Sequence, residues 1–260
     1  MQNRTVFTFF KKYSFIGVIL LILLTGCSGA ANNPITEDSP GWFDHYFVLT
    51  FSNFIKGLAS FLGDDYGLSI IAITILIRLV IMPFMLKQMK NSREMKKKMD
   101  VIRPEMNEIK EKYKDKKDAD SKLKMQQEMT QLYQKHQLNP IASIGCLPLI
   151  IQFPILIAFY YAIRRTPEIA SHNFLWFNLG STDIFLTIIA VAVYFLQFKV
   201  TQLGMDPKQK KQTAFMGLIS PIMIGIVSFN APAALPLYWT VGGLFLIVQT
   251  LISRKLHPVK

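Results

Sequence analysis

The sequence predicts an all-α fold that crosses a membrane several times. Of its 260 residues 51% are hydrophobic and the mean hydropathy is +0.29, yet 29 Lys and Arg against 17 Asp and Glu leave a net charge of +12. A chain this apolar and this charged has to segregate the two along its length. It does so: long apolar runs alternate with basic stretches, the pattern of spanning helices flanked by positive cytoplasmic loops rather than of a nucleic-acid-binding surface. Two cysteines, Cys27 and Cys146, exclude a disulfide framework or a cysteine-rich metal site.

Residues 1–26 read as a lipoprotein signal peptide. Arg4, Lys11 and Lys12 precede an apolar run over 15–24, about the length of a signal-peptide core and short for the ~30 Å of a bilayer's hydrocarbon. Leu24-Thr25-Gly26-Cys27 follows and resembles a bacterial lipobox, in which the Cys thiol takes a diacylglyceryl group and cleavage makes that Cys the new N-terminus. The other reading is a signal anchor that merely contains a Cys; the small Thr25 and Gly26 favour cleavage. Cys146, beside an apolar span, reads as a small hydrophobe.

Residues 27–41 are small, polar and proline-containing, so they form an external tether. Within 42–62, Phe43, Phe47, Phe51, Phe54, Leu58 and Phe61 recur at spacings of 4, 4, 3, 4 and 3, with Asp44, Asn53 and Lys56 elsewhere on the wheel. That is an external amphipathic helix, packed either in the outer membrane interface or on protein. Five transmembrane segments (TM1 to TM5) follow, at 66–86, 144–163, 184–203, 214–229 and 233–253; the fourth is the shortest and holds Pro221.

The connections fix the orientation. Residues 87–143 carry 15 Lys and Arg against 9 Asp and Glu. With Lys199 at the end of TM3, the loop at 204–213 and the tail at 254–260, these regions hold 22 of the 29 basic residues. The opposite loop, 164–183, carries only Arg164 and Arg165, and the turn at 230–232 has none. The bias places the basic regions inside, the lipidated N-terminus outside and the C-terminus in the cytoplasm, which an odd number of crossings requires. The 87–143 loop is itself patterned: Met95, Met99, Ile102, Met106, Ile109 and Tyr113, then Met125, Met129, Leu132 and His136, form seams at 3- and 4-residue spacing. The reading is an antiparallel cytoplasmic hairpin, broken by the charged stretch 114–121 and kinked or restarted at Pro104. Its methionines either pack the hairpin, the simpler reading, or present a polarizable surface to hydrophobic client segments.

Polar residues inside the spans carry the functional reading. Arg78 lies eight residues from the inner end of TM1, about 12 Å deep, and an arginine there costs about 2.5 to 3.5 kcal/mol unless water or partners receive it. Thr74 is one turn outward on the same face, Gln152 sits about 12 Å deep in TM2, and Gln197 is near the inner end of TM3. Tyr238 and Trp239 of TM5 lie about 8 to 9 Å below the outer boundary. Each has a plainer reading: Arg78 snorkels to the headgroups, the glutamines glue helices, and the aromatics anchor in the outer belt. Their conjunction points to a hydrophilic groove open to the cytoplasm and closed above. No histidine, aspartate or glutamate falls well inside a span and no phosphate-binding glycine loop appears, so no catalytic centre, metal site or cofactor is expected.

The order of these elements, together with Tyr66-Gly67-Leu68-Ser69-Ile70 leading into Ile77-Arg78-Leu79, Asn139-Pro140, Leu147-Pro148, Gln152-Phe153-Pro154-Ile155-Leu156, Phe174-Leu175-Trp176-Phe177 and Pro232-Ala233-Ala234-Leu235-Pro236-Leu237-Tyr238-Trp239, resembles the YidC/OxaA family of membrane protein insertases. The match covers 40–252, and the lipobox without a large external domain looks like the short form of Gram-positive bacteria. The resemblance implies five helices around a hydrophilic groove, with Arg78, Thr74, Gln152, Gln197, Tyr238 and Trp239 at groove-lining positions. It also implies an insertase and chaperone, not an enzyme, in the bacterial plasma membrane, working alone or with the Sec translocase on nascent membrane-protein clients and possible lipoprotein clients. The hairpin is implicated in receiving clients. Membrane lipids, the ribosome, met by a basic tail that here is short, and the signal-recognition-particle receptor complete the implied partners, with no direct nucleic-acid contact. The alternative is a small-solute transporter or channel using Arg78 as an anion site; the lack of a repeated span pattern and the large hairpin count against it.

Overall fold

A computed structural model of the chain describes residues 33–116, 118–138, 146–205 and 207–256. The signal peptide and Cys27 lie outside the described residues. A π-helical segment, Asp44–Leu49, runs into α1 (Thr50–Phe61), followed by α2 (Tyr66–Lys112), α3 (Ala119–Lys135), α4 (Cys146–Arg165), the short α5 (Pro167–Ala170), strands β1 (Asn173–Phe174) and β2 (Phe177–Asn178), α6 (Ile184–Thr201), α7 (Pro207–Ser228) and α8 (Ala234–Leu256). A helix thus occupies each of the five apolar segments. By length and composition α2, α6 and α8 suffice to cross a membrane, while the apolar part of α7, Thr213–Ser228, is shorter. Only 22% of the most apolar stretch of α2 and of α6 is buried by protein. Outward residues such as Val80, Ile188 and Phe215 are therefore matched to hydrocarbon rather than water. The chain is a multi-pass membrane protein.

The fold separates into two compact units, and the chain changes unit within each of α2, α4, α6, α7 and α8. The first comprises the described residues up to 73 with 155–190 and 222–239. Here the amphipathic helix has two working faces. Val48, Ser52, Ile55 and Ala59, at spacings of 4, 3 and 4, are buried against protein. Phe54 and Phe61 stay exposed, Phe61 to 90%. The packed face is pinned by polar contacts: Ser52 Oγ lies 2.7 Å from Thr166 Oγ1, Ser69 Oγ donates to the Ile55 carbonyl at 2.7 Å, and Lys56 Nζ meets Glu168 at 2.9 Å. The Lys56 hydrogen bond holds the Glu168 carboxyl below its usual range.

Arg165 is the strongest of these pins. Its side chain is 3% exposed, donates from Nη1 to Asp44 Oδ2 at 2.7 Å and from Nε to the Asn33 carbonyl at 2.8 Å, while its own carbonyl accepts from Ile35 N. Part of the expected free tether thereby runs docked on the end of α4. The 164–183 loop is also more structured than a simple connection. β1 and β2 form an antiparallel ribbon, Asn173 opposite Asn178 and Phe174 opposite Phe177. Leu175 takes φ +53 at its tip. A Cβ on Gly67 would lie 2.1 Å from the Phe174 ring, so α2 begins flush against this ribbon.

The second unit comprises 74–154, 191–221 and 240–260, as far as these are described. Here α2 is a single 47-residue helix from TM1 into the hairpin, passing through both Pro83 and Pro104. Of the two sequence readings at Pro104, a kink or a restart, the continuous helix excludes the restart. The carbonyl that the Pro104 ring frees is that of Asp100, and both residues are exposed, so it is open to water. The return helix α3 begins at an Asp118 N-cap accepting from Ser121 N at 2.7 Å. Ile102, Leu132 and Leu138 form the hairpin core, with Met95, Met99, Met106, Ile109, Met129 and Tyr133 packed on it. These methionines pack the hairpin. Lys112 to Glu128 at 2.6 Å and Lys135 to Glu105 at 3.0 Å fix the antiparallel register.

Candidate functional site

The second unit also contains Thr74, Arg78, Gln152 and Gln197, four of the six residues singled out from sequence. Thr74 is fully buried on α2, and both it and Gln152 are engaged by neighbouring groups. Arg78, one turn further along α2, is half-buried, and among the described residues it has no ion-pair or hydrogen-bond partner. Gln197 on α6 is half-buried beside the buried Phe198.

Tyr238 and Trp239 fall in the other unit. Both are buried, at 2% and 8% exposure, and the Tyr238 ring sits 4.9 Å from the Phe159 ring, tilted by 37°. They are core aromatics of their own unit, held where Ala233 N donates to the Ser181 carbonyl and Ala234 N to the Leu179 carbonyl. Neither is an exposed belt anchor.

The room that Arg78 occupies is left by a helix far along the chain. Helix α8 presents consecutive glycines, Gly242 and Gly243, where a bulkier residue would close the space. A Cβ on Gly243 would lie 2.7 Å from Val193 Cγ1, so the backbones of α6 and α8 approach closely. On Gly242 the nearest atoms are those of the Arg78 guanidinium. α6 meets α7 in the same way, since a Cβ on Gly217 would lie 2.0 Å from Phe198 Cε2.

Beyond this, the end of α8 is tied to its neighbours. Arg93 Nη1 donates to the Ser253 carbonyl and Arg254 Nη2 to the Thr201 carbonyl, each at 2.9 Å. Gln249 Nε2 reaches Met89 Sδ at 3.9 Å. Arg254 so placed caps the C-terminal end of α6, where its charge complements the helix dipole. The sequence reading counted Arg254 only as tail charge; nothing in its spacing signals the cap. Gly242 was likewise not singled out, although adjacent glycines in the middle of an apolar helix are a legible sign of close approach.

What this arrangement offers chemically is a fixed positive charge and amide groups within helices whose outer faces are apolar. Groups of this kind can receive polar partners through charge and hydrogen bonding. Comparison with known proteins bears on what they receive. Residues 57–260 match the family model described as 60Kd inner membrane protein. The chain is 49% identical over 252 residues to membrane protein insertase YidC 2 of Listeria monocytogenes, covering 96% of this chain and 90% of that one. It is 48% identical to membrane protein insertase MisCA of Bacillus subtilis, covering 93% and 89%, and 42% identical to MisCB of the same organism, covering 95% and 94%.

Proposed function

This chain belongs to the 60Kd inner membrane protein family and is a membrane protein insertase of the YidC/MisC kind, and from that premise we propose that it lowers the barrier to moving a short polar client segment across the bilayer by means of Arg78. One observation carries the reading: a guanidinium with no ion-pair or hydrogen-bond partner among the described residues, in a stretch of α2 otherwise suited to hydrocarbon. Its insertion cost of about 2.5 to 3.5 kcal/mol falls when water and a client's acidic groups receive it. Thr74, Gln152 and Gln197 line the hydrophilic groove with Arg78, replacing hydrocarbon with hydrogen-bonding side chains along part of the path. The client's apolar helix then passes into lipid, and burying it at roughly 25 cal/mol per Å² supplies the driving energy without nucleotide hydrolysis or a catalytic centre.

The remaining assignments follow the same reading. Cys27 carries the lipid outside and the basic loops and tail lie in the cytoplasm. The exposed Phe54 and Phe61 rest in the outer interface. The hairpin offers its charged surface to arriving clients, with the Sec translocase, the ribosome and the signal-recognition-particle receptor as partners in delivery. A small-solute transporter, the rival reading of Arg78, is not favoured by relatives named as insertases.

The test is insertion into proteoliposomes of clients that differ only in the charge of their external segment. Arg78→Ala should impair the acidic client more than the neutral one, and Arg78→Lys should impair it less than Arg78→Ala. Wild-type insertion by both variants would remove Arg78 from the mechanism.

A further inference from the structure

Resting on that role for Arg78, we infer that Gly242 is its positioning residue: the bare backbone of α8 at Gly242 is the surface across which the guanidinium lies, and any side chain there displaces the charge. A Cβ on Gly242 would stand 2.9 Å from Arg78 Nη2, 3.4 Å from Nε and 3.5 Å from Cζ. Outside the neighbouring turns of α8, these three guanidinium atoms are the nearest heavy atoms to that point. They span 0.6 Å in distance, so the group lies across the glycine instead of touching it with one tip.

The glycine has no backbone reason to be there. Its φ is not positive, unlike that of Gly41, Gly63 and Gly204, and glycine inside a helix costs about 1 kcal/mol against alanine. Gly243 has its own steric reason in the approach of Val193 and Tyr194, which a Cβ would meet at 2.7 and 3.0 Å. The two glycines therefore divide the work: Gly243 brings α6 in, and Gly242 leaves room for one charge. Arginine is long enough to snorkel several ångströms toward the headgroups. A bare surface at Gly242 lets the guanidinium stay at its depth, and a methyl group there pushes it off.

The experiment compares full-length wild type, Arg78→Ala, Gly242→Ala and the double variant in proteoliposomes, with clients carrying acidic or neutral external segments. Gly242→Ala should reach the membrane at the wild-type level, because the group it meets is the mobile end of a side chain. Insertion of the acidic client should fall by about threefold or more, with a smaller loss for the neutral client, and Gly242→Ala should add nothing in the Arg78→Ala background. Undiminished acidic-client insertion by Gly242→Ala, or a further loss of equal size in the double variant, overturns the inference. Impairment by Arg78→Ala with none by Gly242→Ala defeats this inference alone, whereas wild-type insertion by Arg78→Ala defeats the Arg78 reading and this one with it. Should Gly242→Ala fail to accumulate, recovery in the double variant, where the guanidinium is gone, identifies the clash and supports the inference; failure of both overturns it.

Discussion

Two arginines in this chain meet opposite fates. Arg165 has both edges of its fork filled, by the Asp44 carboxylate and the Asn33 carbonyl, and is almost wholly buried. Arg78 has neither among the described residues. The first is a structural pin; the second, on the proposed reading, is a charge held ready for a client. Removing one member of a buried ion pair strands its partner, so Arg165→Ala should destabilise the protein by about 3 kcal/mol and lower the melting temperature in detergent by several degrees. Arg78→Ala removes a charge with no counter-group and should leave the melting temperature unchanged or raised. Equal losses in the two variants would contradict the distinction. Sequence alone singled out Arg78 by its depth within an apolar span. It counted Arg165 as one of two loop charges, because its partners lie more than 120 positions away.

At the scale of elements, the hairpin is the part most open to a pH test. Hydrogen bonds from Lys135 hold the Glu105 carboxyl below its usual range, and bonds from Lys112 and Tyr113 do the same for Glu128. A carboxyl whose pKa is lower folded than unfolded contributes stability that is complete above the unfolded value, about 4.3, and is lost as pH falls through the lowered one. Amide hydrogen exchange across α3 should therefore be flat from pH 7 to 5, after correction for intrinsic rate, and lose protection in stronger acid. Protection unchanged down to pH 3 would exclude these pairs from hairpin stability. The hairpin's seams were readable because helical periodicity is local. Its continuity with TM1 was not, since a proline normally argues for a break; the exposed Pro104 escapes that rule by leaving its freed carbonyl to water. The β1–β2 ribbon was equally invisible. It has no alternating pattern, and the Asn178 amide braces it by donating to the carbonyls of Ser171 and His172.

For the whole molecule, composition and charge were enough to yield an all-α, multi-pass protein, because apolar length and basic flanks are demands of the bilayer rather than of any particular contact. The packing was not legible in the same way. Tyr238 and Trp239 proved to be core aromatics, and the glycine that accommodates Arg78 lies on a helix far along the chain. On the proposed reading, the net charge of +12 divides into topology, served by the basic loops, and mechanism, served by Arg78. The most direct test is to place a photo-crosslinking residue at Gln152 or Gln197 and stall a nascent client with its polar external segment part-way across. Crosslinks from these positions to that polar segment, lost when the client is released and absent from a matched lipid-facing position such as Val80, are the expected result. Crosslinks of equal strength from Val80, or none from the glutamines, would contradict the account.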